Sequence, residues 1–248
     1  LAAGLVLSLS VYGAIRVAQL EGDGAAPALA RVGIVQADIS RYGRLRSQIG
    51  SYAAVRAILD THFALSREAL ASGEVELLVW PETVYPTTFG SPKSEEGAAF
   101  DREIGAFVAG TGVPLVFGAY DVEDGAEFNA AVFLEPDPLV AGRVDFDTYR
   151  KAWLFPLTER VPAWLDSPRL HERFSWLGNW KAGAGAHAMP LSLPRGRQLR
   201  VAPLICYDTL DAGLARAAVH QGADLIVTLS NDSWFASGGG PRLHLMHA

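Results

Sequence analysis

Short runs of apolar and β-branched residues recur along the chain, each bounded by turn-forming residues, and this pattern predicts buried β-strands. Between these runs, apolar residues recur at helical spacing, with charged residues outside the apolar stripe. Because strands and helices alternate, the pattern predicts an α/β fold with covered sheets. The predicted strands are 31–38, 76–80, 114–120, 129–134, 199–206 and 224–230, and the predicted helices are 51–71, 95–110 and 210–221.

The connections predict how some of these strands pair. An acidic turn at 121–128 (DVEDGAEF) joins two strands directly and predicts an antiparallel hairpin. The helix at 210–221 lies between the last two strands, which is typical of a parallel βαβ unit. We therefore expect mixed sheets. Residues 156–185 contain several prolines and glycines and are expected to form loops.

The chain begins with an uncharged, mostly apolar stretch, LAAGLVLSLSVYGAI, and its first charged residue is Arg16. This stretch is shorter than the ~20 residues that span a bilayer, and no basic region precedes it as in a signal peptide. A buried core helix is an alternative, but the acidic and Gly/Ala-rich segment 21–30 reads as a linker. We interpret 1–20 as the end of a transmembrane helix that precedes a catalytic domain at 31–248.

Both ends of the sequence are expected to be cut. The first residue is Leu1 rather than Met, and the helical run after Pro241 (RLHLMHA) stops without a capping residue. We therefore expect a piece of a longer protein, with its catalytic domain truncated at the C-terminus.

Composition excludes several classes of protein. Half of the 248 residues are apolar and the net charge is −6, so neither a disordered chain nor a basic nucleic-acid-binding surface is expected. A single cysteine excludes an internal disulfide and a multi-thiolate metal site. The six histidines show no HExxH spacing, and His244 with His247 would make a poor site without a third ligand. No metal and no cofactor are therefore expected.

The single cysteine, Cys206, ends the apolar run VAPLIC and is followed by Tyr207, Asp208 and a helix. One interpretation is a buried strand cysteine. The other is a nucleophile at a strand-to-helix turn, where the N-terminus of the helix lowers the pKa of the thiol.

Two other charged residues are candidates for acid–base and electrostatic roles. Glu82 follows a predicted strand, where open α/β sheets bind ligands, and partial burial would raise its pKa and suit it to act as a general base. Lys151 precedes the apolar sequence AWLFP, which would desolvate it so that it could stabilise an oxyanion. Glu159 could orient this lysine. The alternatives are a helix-capping or exposed Glu82 and an exposed loop lysine.

Taken together, these residues resemble the nitrilase, or carbon–nitrogen hydrolase, superfamily, whose members use a Glu–Lys–Cys triad with a second glutamate nearby. Glu82 in WPET, Lys151 in YRK, Glu159 in LTERVP and Cys206 in LICYD match those positions in order. The resemblance covers residues 31–248. It implies a nitrilase-like α-β-β-α sandwich in which Glu82, Lys151 and Cys206 are catalytic. Glu159, Tyr207 and Asp208 are then supporting residues.

Within this superfamily the sequence is most similar to the apolipoprotein N-acyltransferases, on the segments YRKAWLFPLTERVP and SNDSWFASGGGPRLHL. That resemblance implies transfer of an acyl chain from a phospholipid to the α-amino group of a diacylglyceryl-modified N-terminal cysteine, through a thioester on Cys206. It also implies the bacterial inner membrane, with the catalytic domain on the periplasmic side. Trp153, Trp234 and Phe235 become candidates for lipid contacts.

The sequence departs from that family at two places. Asp208 stands where the family usually has glutamate, and the loop ADISRYGRLRSQ lacks the tryptophan that members tend to carry. Two other functions are consistent with the same residues. One is a nitrilase-type amidase that uses water to hydrolyse a small C–N bond, and the other is a nitrilase-like domain that only binds a ligand or partner.

Overall fold

The computed structural model of the chain describes residues 2–22, 30–39, 42–234 and 239–247. Two β-sheets lie face to face, one of five strands and one of three. The first sheet contains, in spatial order, β1 (Val32–Ile34), β2 (Leu77–Val79), β3 (Leu115–Glu123), β4 (Ala126–Pro136) and β5 (Val144–Arg150). The second contains β6 (Met189–Leu193), β7 (Arg197–Ile205) and β8 (Leu225–Leu229).

Both sheets are mixed, as the sequence predicts. β1, β2 and β3 are parallel, whereas β3 pairs with β4 and β4 with β5 in antiparallel fashion. The predicted hairpin is confirmed by the β3–β4 register, which runs from Leu115 opposite Leu134 to Glu123 opposite Ala126. In the second sheet β6 is antiparallel to β7, and β7 is parallel to β8, which confirms the predicted βαβ unit.

Seven α-helices surround or precede the sheets in the described part of the chain. They are α1 (Ala2–Gly22), α2 (Tyr42–Ile49), α3 (Ser51–Leu70), α4 (Glu95–Thr111), α5 (Pro168–Arg173), α6 (Ala212–His220) and α7 (Gly240–His247). Short 3-10 helices occupy Pro194–Gly196, Cys206–Leu210 and Asp232–Trp234. The ends of α4 follow from its sequence: Ser94 caps its first turn by accepting from the Gly97 N–H at 3.1 Å, and Gly112 ends it at a φ of 69°.

Two clusters of buried side chains separate the layers. The outer cluster joins the first sheet to α3 and α4 and includes Phe63, Trp80 and Ile104. The inner cluster joins the two sheets and includes Leu77, Val79, Val116, Val201 and Ile205. Since side chains alternate along a strand, β2 supplies Leu78 to the outer cluster and its neighbours to the inner one. With α6 packed on β7, the order of layers is α-β-β-α, which confirms the expected sandwich.

The sequence pattern missed two strands and two helices. β5 carries charged residues at exposed positions and β6 contains Pro190, so neither reads as a buried apolar run. The predicted strand 31–38 is shorter than expected because only Val32–Ile34 pairs with β2. Helix α2 was missed, and the short α5 lies within the segment expected to be loop, which is otherwise largely irregular.

Helix α1 stands apart from both cores. Its window 2–19 has a mean hydropathy of 1.3, none of it is buried, and it is long and apolar enough to cross a membrane. Signal sequences near an N-terminus have the same properties, so the membrane interpretation of 1–20 stays a prediction. Of the predicted linker 21–30, residues 23–29 lie outside the described residues.

Candidate active site

Three residues singled out in the sequence lie at the ends of strands from both sheets. Glu82 follows β2, Lys151 follows β5 and Cys206 follows β7. All three are buried, with 6%, 1% and 5% of their surfaces exposed. They line one cavity of about 470 Å³. Its other lining residues are Tyr42, Arg44, Thr83, Tyr120, Asn129, Phe155, Thr158, Glu159, Trp180, Asn231 and Ser233.

The turn that carries Glu82 is held against β3. Gly118 in the middle of β3 donates its N–H to the Pro81 carbonyl at 3.0 Å and accepts from the Tyr85 N–H at 3.1 Å. A Cβ atom at position 118 would lie 2.5 Å from the Glu82 Cα, so a side chain there would push the turn away. A glycine inside a strand pattern is the sequence signal for such a close approach.

Glu82 is enclosed by hydrogen-bond donors. Its Oε1 accepts from Asn129 Nδ2 at 2.8 Å and from Lys151 Nζ at 3.4 Å, and its Oε2 accepts from the Asn231 N–H at 3.0 Å. Burial raises the pKa of Glu82 above its ordinary value, although the Lys151 charge opposes that shift. A carboxylate with a raised pKa takes up a proton more readily, as a general base must.

Lys151 pairs with two carboxylates. Its Nζ lies 2.8 Å from Glu159 Oε1, closer than to Glu82, so Glu159 is within reach for the orienting role that the sequence suggests. The second oxygen of Glu159 accepts from the Phe155 N–H at 2.6 Å. Burial opposes the charged form of the lysine, but Glu82 and Glu159 together raise the pKa of Lys151, which therefore stays an ammonium.

Cys206 is the first residue of the 3-10 helix that directly follows β7. Its φ of 48° lies in the left-handed region, which residues other than glycine seldom adopt. Burial, reinforced by the nearby Glu82 charge, raises the pKa of the thiol to about 12. The prediction that a helix N-terminus lowers this pKa is therefore wrong. Desolvation by burial is the largest cause of this shift, and a thiol with such a pKa is protonated at neutral pH.

Asp208 ties the Cys206 turn to the segment that follows Lys151. Its Oδ1 accepts from the N–H groups of Ala152 at 3.2 Å and Trp153 at 2.7 Å. Its Oδ2 accepts from the Tyr149 hydroxyl and the Ile205 N–H, both at 3.0 Å. The aspartate thus accepts hydrogen bonds from donors on both sheets, although it is one methylene shorter than the glutamate that the sequence resemblance leads us to expect at position 208.

Replacing Asp208 by Asn is expected to destabilise the chain, because the Asn amide would face an N–H or O–H donor and leave it unpaired. One buried donor without a partner costs about 1–3 kcal/mol. Urea denaturation of the full chain in detergent measures the change, with Asp145→Asn at an exposed position as the matched control. An unchanged unfolding midpoint for Asp208→Asn would contradict this role.

Asn129 was missed in the sequence. It lies in β4, and its Nδ2 donates to Glu82 Oε1 at 2.8 Å and to Glu159 Oε1 at 3.0 Å. The amide therefore bridges two carboxylates that would otherwise face each other only through Lys151. The one signal was a polar residue at the start of the apolar run NAAVFL, too weak to single out.

The remaining sequence candidates fall into two groups. The Tyr207 ring packs edge-on against Phe155, with ring centroids 5.0 Å apart, and Trp153 is half exposed beside the site. The side chain of Trp234 and all of Phe235 lie outside the part of the chain that the structure describes. Within the described residues, no group of three His, Cys, Asp or Glu side chains could hold a metal ion.

The chain is similar in sequence and in fold to known proteins. A sequence model described as carbon-nitrogen hydrolase matches residues 31–248. A solved carbon-nitrogen hydrolase from Helicobacter pylori G27 has a similar fold, with a TM-score of 0.53 at 18% identity. That match covers 81% of this chain and 59% of the solved chain.

Two curated relatives carry the name apolipoprotein N-acyltransferase. The one from Chlorobaculum tepidum is 28% identical over 75% of this chain and 37% of its own length. The one from Bdellovibrio bacteriovorus is 28% identical over 86% of this chain and 39% of its own length. The chain thus spans less than half the length of these relatives.

Proposed function

Because the chain belongs to the carbon–nitrogen hydrolase family, we propose that its cavity performs the acyl transfer of an apolipoprotein N-acyltransferase. The acyl donor is a phospholipid, and the acceptor is the α-amino group of a diacylglyceryl-modified N-terminal cysteine. The relatives named for this activity, at 28% identity, support the choice within the family.

One observation carries the proposal: a buried thiol, a buried carboxylate and a buried lysine line the same cavity. A thiol with a pKa of about 12 is almost wholly protonated at neutral pH, so it attacks only if a neighbour removes its proton. Glu82, with its raised pKa, is suited to that task, and Lys151 supplies a fixed positive charge. Simple ligand binding requires none of these three.

In the first step Glu82 takes the proton of Cys206 as the sulfur attacks an ester carbonyl of the phospholipid. Lys151 and the backbone N–H of Tyr207 stabilise the tetrahedral oxyanion. When the intermediate collapses, the C–O bond breaks and Glu82 returns the proton to the leaving oxygen. The products are a lysophospholipid and an acyl thioester on Cys206.

In the second step Glu82 accepts a proton from the acceptor amine as that amine attacks the thioester carbonyl. The C–S bond then breaks, and the proton passes back to the Cys206 sulfur. The product is an amide on the lipoprotein N-terminus. A covalent nucleophile divides one difficult transfer into two easier ones, and the same base serves both.

Two exposed apolar surfaces support a membrane setting. The first is α1, none of whose apolar window is buried. The second is the aromatic segment, defined as residues 153–176, which exposes Trp153, Leu157, Trp164, Leu165, Phe174 and Trp176. Trp164 alone is 85% exposed, and indole rings favour the membrane–water interface.

The aromatic segment is anchored beside the catalytic cluster. It begins two residues after Lys151, and just beyond its end the Trp180 N–H donates to the Glu159 carbonyl at 2.9 Å. Lipid bound to this segment is therefore held next to the cavity. We infer that α1 anchors the protein in the bacterial inner membrane, with the catalytic cavity on the periplasmic side.

Intact mass after incubation with phospholipid vesicles tests the proposal. Wild type should gain the mass of one acyl chain, and neutral hydroxylamine should remove it, because thioesters are cleaved under those conditions. Adding a diacylglyceryl-cysteine peptide should move the acyl group to the peptide amine. Cys206→Ser is the matched control and should gain no hydroxylamine-labile mass.

The competing amidase predicts a different outcome. A folded wild type that gains no acyl mass from vesicles, but releases ammonia from small amides, would overturn the phospholipid step. The Glu82, Lys151 and Cys206 cluster would then use water as its second nucleophile. A folded wild type that does neither would favour a ligand-binding domain.

A further inference from the structure

His244, which the proposed mechanism does not use, contacts the backbone of Cys206. His244 lies on α7, and its side chain is only 11% exposed. Its Nε2 lies 3.1 Å from the carbonyl oxygen of Cys206, and its Nδ1 lies 2.8 Å from Asp232 Oδ1. The ring thus connects Asp232, the first residue of the 3-10 helix that follows β8, to the backbone of Cys206.

Both ring nitrogens face acceptors. A backbone carbonyl and a carboxylate can only accept, so each contact requires an N–H on the histidine. The Ser230 hydroxyl donates to Asp232 Oδ1 at 2.9 Å, which leaves Nδ1 as the other donor to that carboxylate. The geometry therefore calls for a doubly protonated imidazolium paired with Asp232.

The carbonyl that His244 holds belongs to a residue in an unfavourable backbone conformation. Cys206 has a φ of 48°, and its carbonyl also accepts from the Thr209 hydroxyl at 2.8 Å. Two donors on one carbonyl fix the rotation of the peptide plane after Cys206. Fixing that plane holds the backbone of Cys206, and with it the Cα–Cβ bond from which the thiol extends into the cavity shared with Glu82.

We propose that His244, charged and held by Asp232, is a positioning residue that keeps the Cys206 turn in its reactive conformation. This inference rests on the proposed role of Cys206 as the nucleophile, but not on the identity of the acyl donor. Loss of the second proton from His244 removes one of its two donors and loosens the turn.

The charges around His244 set the pH at which this happens. Burial opposes the imidazolium, but Asp232, the Cys206 carbonyl and the more distant Glu82 together raise the pKa of His244 above its ordinary value. The other groups in contact, Thr209 and Ser230, do not titrate in this range, and the Cys206 thiol stays neutral. Arg242, on α7 itself, is exposed. The positioning effect is therefore present below the raised pKa of His244 and is lost as pH rises through that pKa.

The test uses a probe that needs no phospholipid. The full chain in detergent is mixed with p-nitrophenyl octanoate, and quenched samples are read by intact mass for octanoyl-Cys206 from about pH 5 to about pH 10, a range that brackets an ordinary histidine. Cys206→Ser supplies the background at each pH. His244→Asn keeps only the donor that faces Asp232, whereas His244→Gln places an amide N–H near the position of Nε2.

For His244→Asn we expect acylation about 10²-fold slower at neutral pH, which is the scale of a 1 Å misplacement of a reacting group. His244→Gln should recover much of the acylation rate, and its rate should not show the fall at high pH that we expect for wild type. Asp232→Asn should move that decline to lower pH, because it removes the charge that raises the pKa of His244. A purely structural role would not shift the decline.

Equal rates and identical pH profiles for wild type, His244→Asn and Asp232→Asn would overturn the proposal. Failure of the proposed function appears differently, as octanoylation of wild-type Cys206 without any acylation from phospholipid vesicles. If octanoate does not label wild type, the rate of alkylation of this single cysteine by iodoacetamide replaces it as the readout. The same variant comparison then decides the role of His244.

Discussion

Glu82→Gln is expected to slow acylation of Cys206 by about 10²- to 10⁴-fold, the usual contribution of a general base. The amide keeps the shape of the side chain but cannot accept the thiol proton. Because the pKa of the thiol is about 12, no appreciable thiolate is present at neutral pH to bypass the loss. Mass spectrometry of quenched reactions measures the rate directly.

The pH profile makes this prediction specific to Glu82. Burial raises the pKa of Glu82, so in wild type the rate should climb with pH across a range above about 4.3, the ordinary glutamate value. That rising limb should vanish in Glu82→Gln. Glu103→Gln removes an exposed carboxylate of α4 and serves as the control. If Glu82→Gln kept both the wild-type rate and the rising limb, another group would be the base.

Lys151→Met is expected to lower both stability and activity. The substitution leaves the buried Glu82 and the partly buried Glu159 without their shared cation, and breaking a buried ion pair costs about 3–5 kcal/mol. Loss of the oxyanion donor should separately slow acylation by about 10²- to 10³-fold. Urea denaturation and the quenched acylation assay measure the two effects.

The double variant Lys151→Met/Glu159→Gln separates these effects. Removing one of the two unpaired carboxylates should restore part of the stability but none of the activity. The loss of stability in Lys151→Met should also be smaller at low pH. Because the pKa of Glu82 is raised in the folded state, the folded chain binds a proton at Glu82 more readily than the unfolded chain does. This stabilisation is lost as pH rises through the pKa of Glu82. Lys93→Met, at an exposed pair with Glu127, should cost less than about 1 kcal/mol. A fully stable Lys151→Met would refute the pairing argument.

The fold was predictable where strands bury both faces. β2, β3 and β7 are apolar on both sides, because each lies between a layer of helices and the other sheet, and their runs stand out in the sequence. β5 borders the first sheet and β6 borders the second. Their exposed faces carry polar residues, so local pattern alone could not reveal them.

In the candidate site, the sequence identified only those residues whose reactive side chains lie within short, recognisable motifs. Glu82, Lys151 and Cys206 each lie within a recognisable motif, whereas Asn129 and His244 stand out only through contacts across the fold. Asn129 meets Glu159 from thirty residues away, and His244 reaches the Cys206 carbonyl from thirty-eight. The thiol pKa was misjudged because the effect of a helix end is local, while desolvation depends on everything packed around the sulfur.

The proposed catalytic groups extend from two different sheets, and the first of these sheets is synthesised before the second. Glu82 and Lys151 extend from the first sheet, whereas Cys206 extends from the second and is made after them. A chain that has formed only the first sheet therefore has the proposed base and the cation but lacks the proposed nucleophile. Only closure of the apolar layer between the sheets brings the sulfur to them. Under the proposed function, a chain therefore cannot take an acyl group before its two sheets have packed together.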